Sequence, residues 1–259
     1  MTGTDGEEGA GGAPGPERAL PHPDVGEDVS HGRLSARPSA SPPGFTEGEP
    51  GTHHLDGRAL LRVPPSAGAE RTGAAVLAGG GAARSRGNGG AGADLAAPAG
   101  RVRPKLLLLA PQAADSTWDV VVGGYGPDVA RLDAALHDVF RRFPVDPAGV
   151  AVAGFSDGAS YALSLGLANG DLFGAVLAFS PGFMAPMVHH GHPRVFVSHG
   201  REDPVLPVGA CSRRLVPELM RSGHAVTYRE FGGGHEVPPE LATEALRWWV
   251  DGPPAAAEP

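Results

Sequence analysis

The stretch Val150-Ala151-Val152-Ala153-Gly154-Phe155-Ser156-Asp157-Gly158 constrains the fold of this chain more than any other. A short, β-compatible apolar run leads straight into Gly-x-Ser-x-Gly, and the residues after it, Ala159, Ser160 and Ala162, are small enough for a helix packed closely on a sheet. A serine at such a strand-to-helix turn is lifted out of the packed layers, and the flanking glycines are needed because a Cβ there would meet the neighbouring strand and helix. The helix start also presents backbone N–H groups to any negative charge that develops beside the serine. Taken alone the pattern is weak: with 40 Gly in 259 residues, random order produces it about 0.3 times per chain. Its context has to decide.

The aromatic residues show where a core can form. All three Trp, all three Tyr and eight of the nine Phe follow Arg101, whereas 22 of the 40 Gly lie in the first 100 residues. The net charge of −8 is uneven too, with −6 of it in residues 1–50. That stretch is rich in Gly, Pro, Ser and Glu and has few large apolar side chains, so burial cannot offset the entropy of ordering it. Residues 1–50 are therefore expected to be a disordered, dispensable tail, 51–252 a single domain, and 253–259 a flexible end. No basic patch points to nucleic acid. The N-terminus lacks an apolar signal region, and no run reaches transmembrane length. A single cysteine, Cys211, excludes an internal disulfide and fits a cytoplasmic location.

Within the domain, Ala59–Val63 reads as a strand ended by Pro64-Pro65, and Ala74–Ala78 as a second. Residues 73–104 carry so much glycine that the region looks degenerate or poorly ordered. From Lys105 the signal sharpens. Lys105–Ala110 is a continuous apolar run closed by Pro111, as a strand buried on both faces should be. Pro127 and Asp128 open a helix whose stripe is Val129, Leu132, Leu136, Val139, Phe140 and Phe143. Further strands are expected at 175–179, 194–198 and 225–231, a helix interrupted by Pro217 over 207–222, and a last helix from Pro239 with Leu241, Ala245, Trp248 and Trp249 on one face. Alternating strands and helices predict an α/β fold with a mostly parallel central sheet covered by helices on both faces.

A serine hydroxyl needs a base to take its proton, and that base needs a carboxylate to fix its tautomer. Asp203 stands just beyond the strand 194–198, and His235 just beyond the strand 225–231. Both leave the same sheet edge as Ser156, where sites on open α/β sheets assemble. The order Ser, Asp, His is the one found in α/β-hydrolases.

With these residues in place, the chain from about Ala110 to Trp249 resembles the phospholipase/carboxylesterase family of α/β-hydrolases, bacterial serine esterases related to acyl-protein thioesterases. The resemblance is carried by Gly154-Phe155-Ser156-Asp157-Gly158, Phe179-Ser180-Pro181-Gly182, His199-Gly200 with Asp203-Pro204 and Pro207, and Gly233-Gly234-His235. It implies the α/β-hydrolase fold, ester hydrolysis through an acyl-enzyme, and no metal or cofactor. Ser156 would be the nucleophile, His235 the general base and acid, and Asp203 the orienting carboxylate, with the Asp157 N–H as one oxyanion donor. Relatives carry a His-Gly-x-Gly-type loop after the third strand. Here Val76-Leu77-Ala78-Gly79-Gly80-Gly81 stands in its place, so the second donor falls to Ala78 or Gly79. Thioesters are the nearest alternative substrate. A non-catalytic hydrolase-fold binding protein with an impaired oxyanion loop is the rival from another class.

Other residues have plainer readings. Trp118 and Gln112, after the strand that ends at Ala110, could wall a substrate pocket, with an ordinary core role as the even alternative for Trp118. His189, His190 and His192, interleaved with Gly191 and Pro193, read as an exposed loop before a metal site. His199 reads as packed rather than catalytic, Glu202 as a reserve acid on the surface, and Cys211 as a buried thiol.

Overall fold

A computed structural model describes residues 28–39, 49–55, 59–63, 72–78 and 106–252. Eight strands form one sheet: β1 (Gly51–Leu55), β2 (Ala59–Val63), β3 (Thr72–Ala78), β4 (Leu106–Pro111), β5 (Val145–Phe155), β6 (Ala175–Phe179), β7 (Arg194–Gly200) and β8 (Val226–Phe231). Their spatial order is β1-β2-β4-β3-β5-β6-β7-β8. β1, β2 and β4 pair antiparallel and the rest parallel. The helices are α1 (Asp119–Val122), α2 (Pro127–Arg142), α3 (Asp157–Ala168), α4 (Ser212–Arg221) and α5 (Pro239–Asp251).

The continuous apolar runs are explained by burial on both sheet faces. Leu107, Leu109, Val150 and Val152 belong to one core with Val129, Leu132 and Leu136 of α2 and Leu163 and Leu167 of α3. Leu106, Leu108, Ala151 and Ala153 alternate to the other face and meet Ala242, Ala245, Leu246 and Trp249 of α5. Of the expected face, Ala245 and Trp249 are buried, whereas Leu241 and Trp248 are half-buried at its margin. Trp248 is half-buried, with the Arg194 guanidinium 4.6 Å above its ring. No described helix is long and apolar enough to cross a membrane.

Three expectations need correction. First, the region expected to be degenerate cannot begin at residue 73, since the strand expected at Ala74–Ala78 forms as β3, which lies between β4 and β5 with Ala78 abreast of Gly154. Residues 79–105, which include Gly79, lie outside the described residues. Second, the helix expected from Pro207 starts at Ser212, and it accommodates Pro217 in its interior.

Third, part of the presumed tail is built into the domain. Leu34 and Ala36 are fully buried, and the backbone around them is held by side chains of the α2 and α3 region. Asn169, just past α3 and itself fully buried, accepts from Leu34 N–H at 2.9 Å and donates to the carbonyls of Gly32 at 2.7 Å and Leu165 at 2.9 Å. Arg33 donates to the Ala168 carbonyl at 2.6 Å, closing the end of α3, and pairs with Asp171, as does Arg37. Asp133 accepts from the N–H groups of Ser35 and Ala36. Gly32, at φ +78, lies against the Tyr125 ring so closely that a Cβ would come within 2.8 Å of it. An Asn169→Ala variant is expected to lose roughly 3 kcal/mol of stability, because it leaves the buried Leu34 N–H and Gly32 carbonyl unsatisfied. Urea unfolding measures this, and an unchanged midpoint would show that residues 28–39 do not hold this position in solution.

Candidate active site

β5 delivers Ser156 to the sheet edge in a conformation that few residues adopt, φ 60 and ψ −125, and the contacts around the turn enforce it. The Ser156 N–H donates to the Phe179 carbonyl at 2.9 Å, while its own carbonyl accepts the first bonds of α3 from Ala159 and Ser160. The strand and helix approach so closely that a Cβ on Gly154 would lie 2.1 Å from the Gly158 carbonyl oxygen. Asp157 is the first residue of α3, so its amide stands at the positive end of the helix beside the Ser156 hydroxyl. Its carboxylate accepts from Gly158 N–H and from the Thr117 hydroxyl.

Asp203 and His235 come from the turns after β7 and β8, which are laced together. Arg201 N–H donates to the Phe231 carbonyl at 2.9 Å and Glu202 N–H to the Gly233 carbonyl at 3.0 Å. Gly200 permits the approach, since a Cβ there would lie 2.2 Å from the Gly234 carbonyl oxygen. The result is a continuous chain of polar atoms: Ser156 Oγ to His235 Nε2 at 2.8 Å, and His235 Nδ1 to Asp203 Oδ2 at 2.6 Å. Asp203 Oδ1 accepts from the N–H groups of Val205 at 2.9 Å and Leu206 at 2.8 Å. Burial alone would raise the Asp203 pKa, but the hydrogen bonds from Leu206, His235 and Val205 outweigh it and hold the carboxyl below its ordinary value. The Phe155 ring packs on the His235 imidazole, with centroids 4.7 Å apart.

With Nδ1–H committed to a carboxylate, Nε2 is the basic nitrogen, and it faces the serine hydroxyl. The arrangement is equipped to take a proton from Ser156 and to stabilise the resulting imidazolium. Ala78 ends β3 two residues short of the Ser156 register, because it pairs with Gly154.

The remaining sequence candidates fall elsewhere. Trp118 is 1 % exposed and stacks on Tyr161 of α3, with centroids 4.4 Å apart, so its ring serves the core rather than a pocket wall. Gln112 is exposed at the end of β4. Glu202 is exposed, and Cys211 is buried with its thiol pKa raised, first by burial and then by the charge of Asp203. His192 packs against His224, and among the described residues no three His, Cys, Asp or Glu side chains form a group that could hold a metal ion.

Several participants had not been expected. Ser160 and Ser164, one turn apart on α3, accept from the amides of Gly182, Phe183 and Ala185 and so pin the loop after β6 to the helix that follows Ser156. Their i, i+4 spacing was visible, but the loop that they hold was not. Thr117 and Phe155 likewise take their roles only from contacts distant in sequence.

Residues 136–217 match the family model described as "Putative esterase". A curated relative, feruloyl esterase C of Emericella nidulans, is 30% identical over 109 residues, which is 42% of this chain and 39% of the relative. The chain thus spans about two fifths of that relative's length. Among solved structures, the esterase PE8 is 25% identical with a TM-score of 0.57, over 74% of this chain and 96% of that one. The Bacillus cereus carboxylesterase shares the fold, with 17% identity, a TM-score of 0.54, and coverage of 74% and 93%. The matched segment, which holds Ser156 and Asp203, is similar to that esterase family, and the chain has the α/β-hydrolase fold of these solved esterases.

Proposed function

We propose that the protein is a serine hydrolase that cleaves carboxylic esters through an acyl-enzyme, with Ser156, His235 and Asp203 as its catalytic triad. The observation that carries this reading is the unbroken hydrogen-bonded chain from Ser156 Oγ through both His235 nitrogens to Asp203. His235 Nε2 takes the hydroxyl proton as Oγ attacks the ester carbonyl, and the Asp203 carboxylate stabilises the imidazolium so formed. The carbonyl oxygen gathers negative charge beside the Asp157 amide, with Ala78, the last residue of β3, or Gly79, next in sequence, proposed as the second donor. His235 then returns its proton to the departing alcohol. A water activated by the same imidazole releases the acid.

Thioesters would meet the same residues, and feruloyl esters enter as candidates through the name of the curated relative. Gln112, exposed just after β4, is the proposed polar contact of the substrate pocket. A single cysteine fits the cytoplasm, where we place the enzyme. Hydrolysis of p-nitrophenyl acetate tests the reading: the wild-type protein is expected to turn over, and Ser156→Ala to fall by at least about 10³-fold. Equal rates in the two proteins would remove Ser156 from the mechanism.

A further inference from the structure

A second histidine stands behind the proposed triad carboxylate. His199, near the end of β7, is fully buried. Its Nε2 lies 2.7 Å from the Leu206 carbonyl oxygen and 3.3 Å from Asp203 Oδ2. Its Nδ1 lies 2.7 Å from the hydroxyl of Ser212, the first residue of α4, which is also fully buried.

These partners settle where the proton sits. A carbonyl and a carboxylate can only accept, so Nε2 carries the hydrogen, and a ring with that single hydrogen accepts at Nδ1 from the Ser212 hydroxyl. His199 therefore does two things to Asp203. It holds the Leu206 carbonyl, and with it the turn whose N–H groups at Val205 and Leu206 grip Asp203 Oδ1. It also places the positive edge of its Nε2–H beside Oδ2, the oxygen that binds His235.

We infer that His199 is a positioning residue for the reaction: held by Ser212, it fixes the Asp203 turn and moderates the charge that Asp203 presents to His235. The inference rests on the proposed triad. The titratable groups facing Asp203 are His235 from the turn after β8, His199 from β7, and Cys211 at the start of α4. Among the described residues, only the two histidines have side-chain nitrogens within 4 Å of it. Without the His199 N–H, the carboxylate would attract the His235 imidazolium more strongly and hold the base in its protonated form to higher pH.

Two near-isosteric variants separate this role from packing. In His199→Gln the amide nitrogen reaches the position of Nε2 and keeps the donor toward Leu206 and Asp203. In His199→Asn it reaches only the position of Nδ1 and keeps the Ser212 partner. The measurement is the rate of fluorophosphonate labelling as a function of pH, at a temperature where circular dichroism shows each protein folded. His199→Asn is expected to label about tenfold more slowly, with the acid limb of its profile raised by about half a pH unit, and His199→Gln to stay within about threefold with its limb in place.

Wild-type rates and limbs in both variants, or equal losses in both, would overturn the positioning role. Should His199→Asn not fold, Ser212→Ala, which removes the donor holding the ring, must show the same upward shift of the limb, and its absence overturns the inference equally. Ser156→Ala is labelled alongside. If wild type labels and Ser156→Ala does so equally, the triad reading has failed; if Ser156→Ala is not labelled and the His199 variants match wild type, this inference alone has failed.

Discussion

Asp203→Asn is expected to lower turnover by about 10⁴-fold while leaving the protein folded. The substitution preserves shape, and the Asn oxygen can still accept from the amides of Val205 and Leu206, as Oδ1 of Asp203 does. Its NH₂ then replaces Oδ2, where the Nδ1 of His235 lies 2.6 Å away. Two donors cannot share that contact. The imidazole must switch tautomers, which places a hydrogen on the Nε2 that faces Ser156 and leaves it unable to take the serine proton. The same NH₂ would also meet the Nε2–H of His199, adding to the disturbance. Steady-state hydrolysis and thermal unfolding together check the prediction. Activity within tenfold of wild type would mean that another acid, with Glu202 the nearest in sequence, serves His235.

Gly154→Ala is expected to lower the melting temperature by about 10 °C and to abolish activity in whatever protein still folds. The new methyl would lie 2.1 Å from the Gly158 carbonyl oxygen, 2.3 Å from its carbon and 2.7 Å from the Ala159 nitrogen. All three are backbone atoms in the first turn of α3, so no side-chain rotation can relieve the clash. The helix must lift away from β5, and Ser156 would then lose the constraint that keeps it at positive φ, a conformation costing roughly 1–3 kcal/mol when unsupported. Differential scanning calorimetry would show the effect, and a melting temperature unchanged by the substitution would mean that α3 sits farther from β5 than described.

The parts of the fold legible in the sequence are those where burial on both faces writes long apolar runs, such as Leu106–Leu109, Val150–Ala153 and Ala175–Phe179. Ser156 and Asp203 were visible as candidates because each follows such a run at the same edge of the sheet, and His235 because it follows the β-compatible but only half-buried Val226–Phe231. What escaped reading is held by polar contacts between distant residues. β1, Gly51-Thr52-His53-His54-Leu55, is a mostly exposed edge strand defined by its pairing with β2. Residues 28–39 bury little beyond Leu34 and Ala36, and are fixed by Asn169, Asp133 and Asp171, whose involvement no local composition reveals.

α1 illustrates the same limit. Val120-Val121-Val122 favours a strand by side-chain type, yet the segment is helical beside two carboxylates that bind each other's backbone. Asp128 accepts from the Asp119 N–H at 2.9 Å, and Asp119 accepts from those of Gly126 at 2.8 Å and Asp128 at 3.0 Å. Propensity yields there to a reciprocal pair of caps.

The central claim is that Ser156 is an activated nucleophile, and covalent labelling by a fluorophosphonate probe tests it without any assumption about substrate. The account predicts that the wild-type protein is labelled on Ser156 and that Ser156→Ala is not labelled. A folded wild-type protein that resists the probe, or a Ser156→Ala variant that reacts equally well, would contradict it.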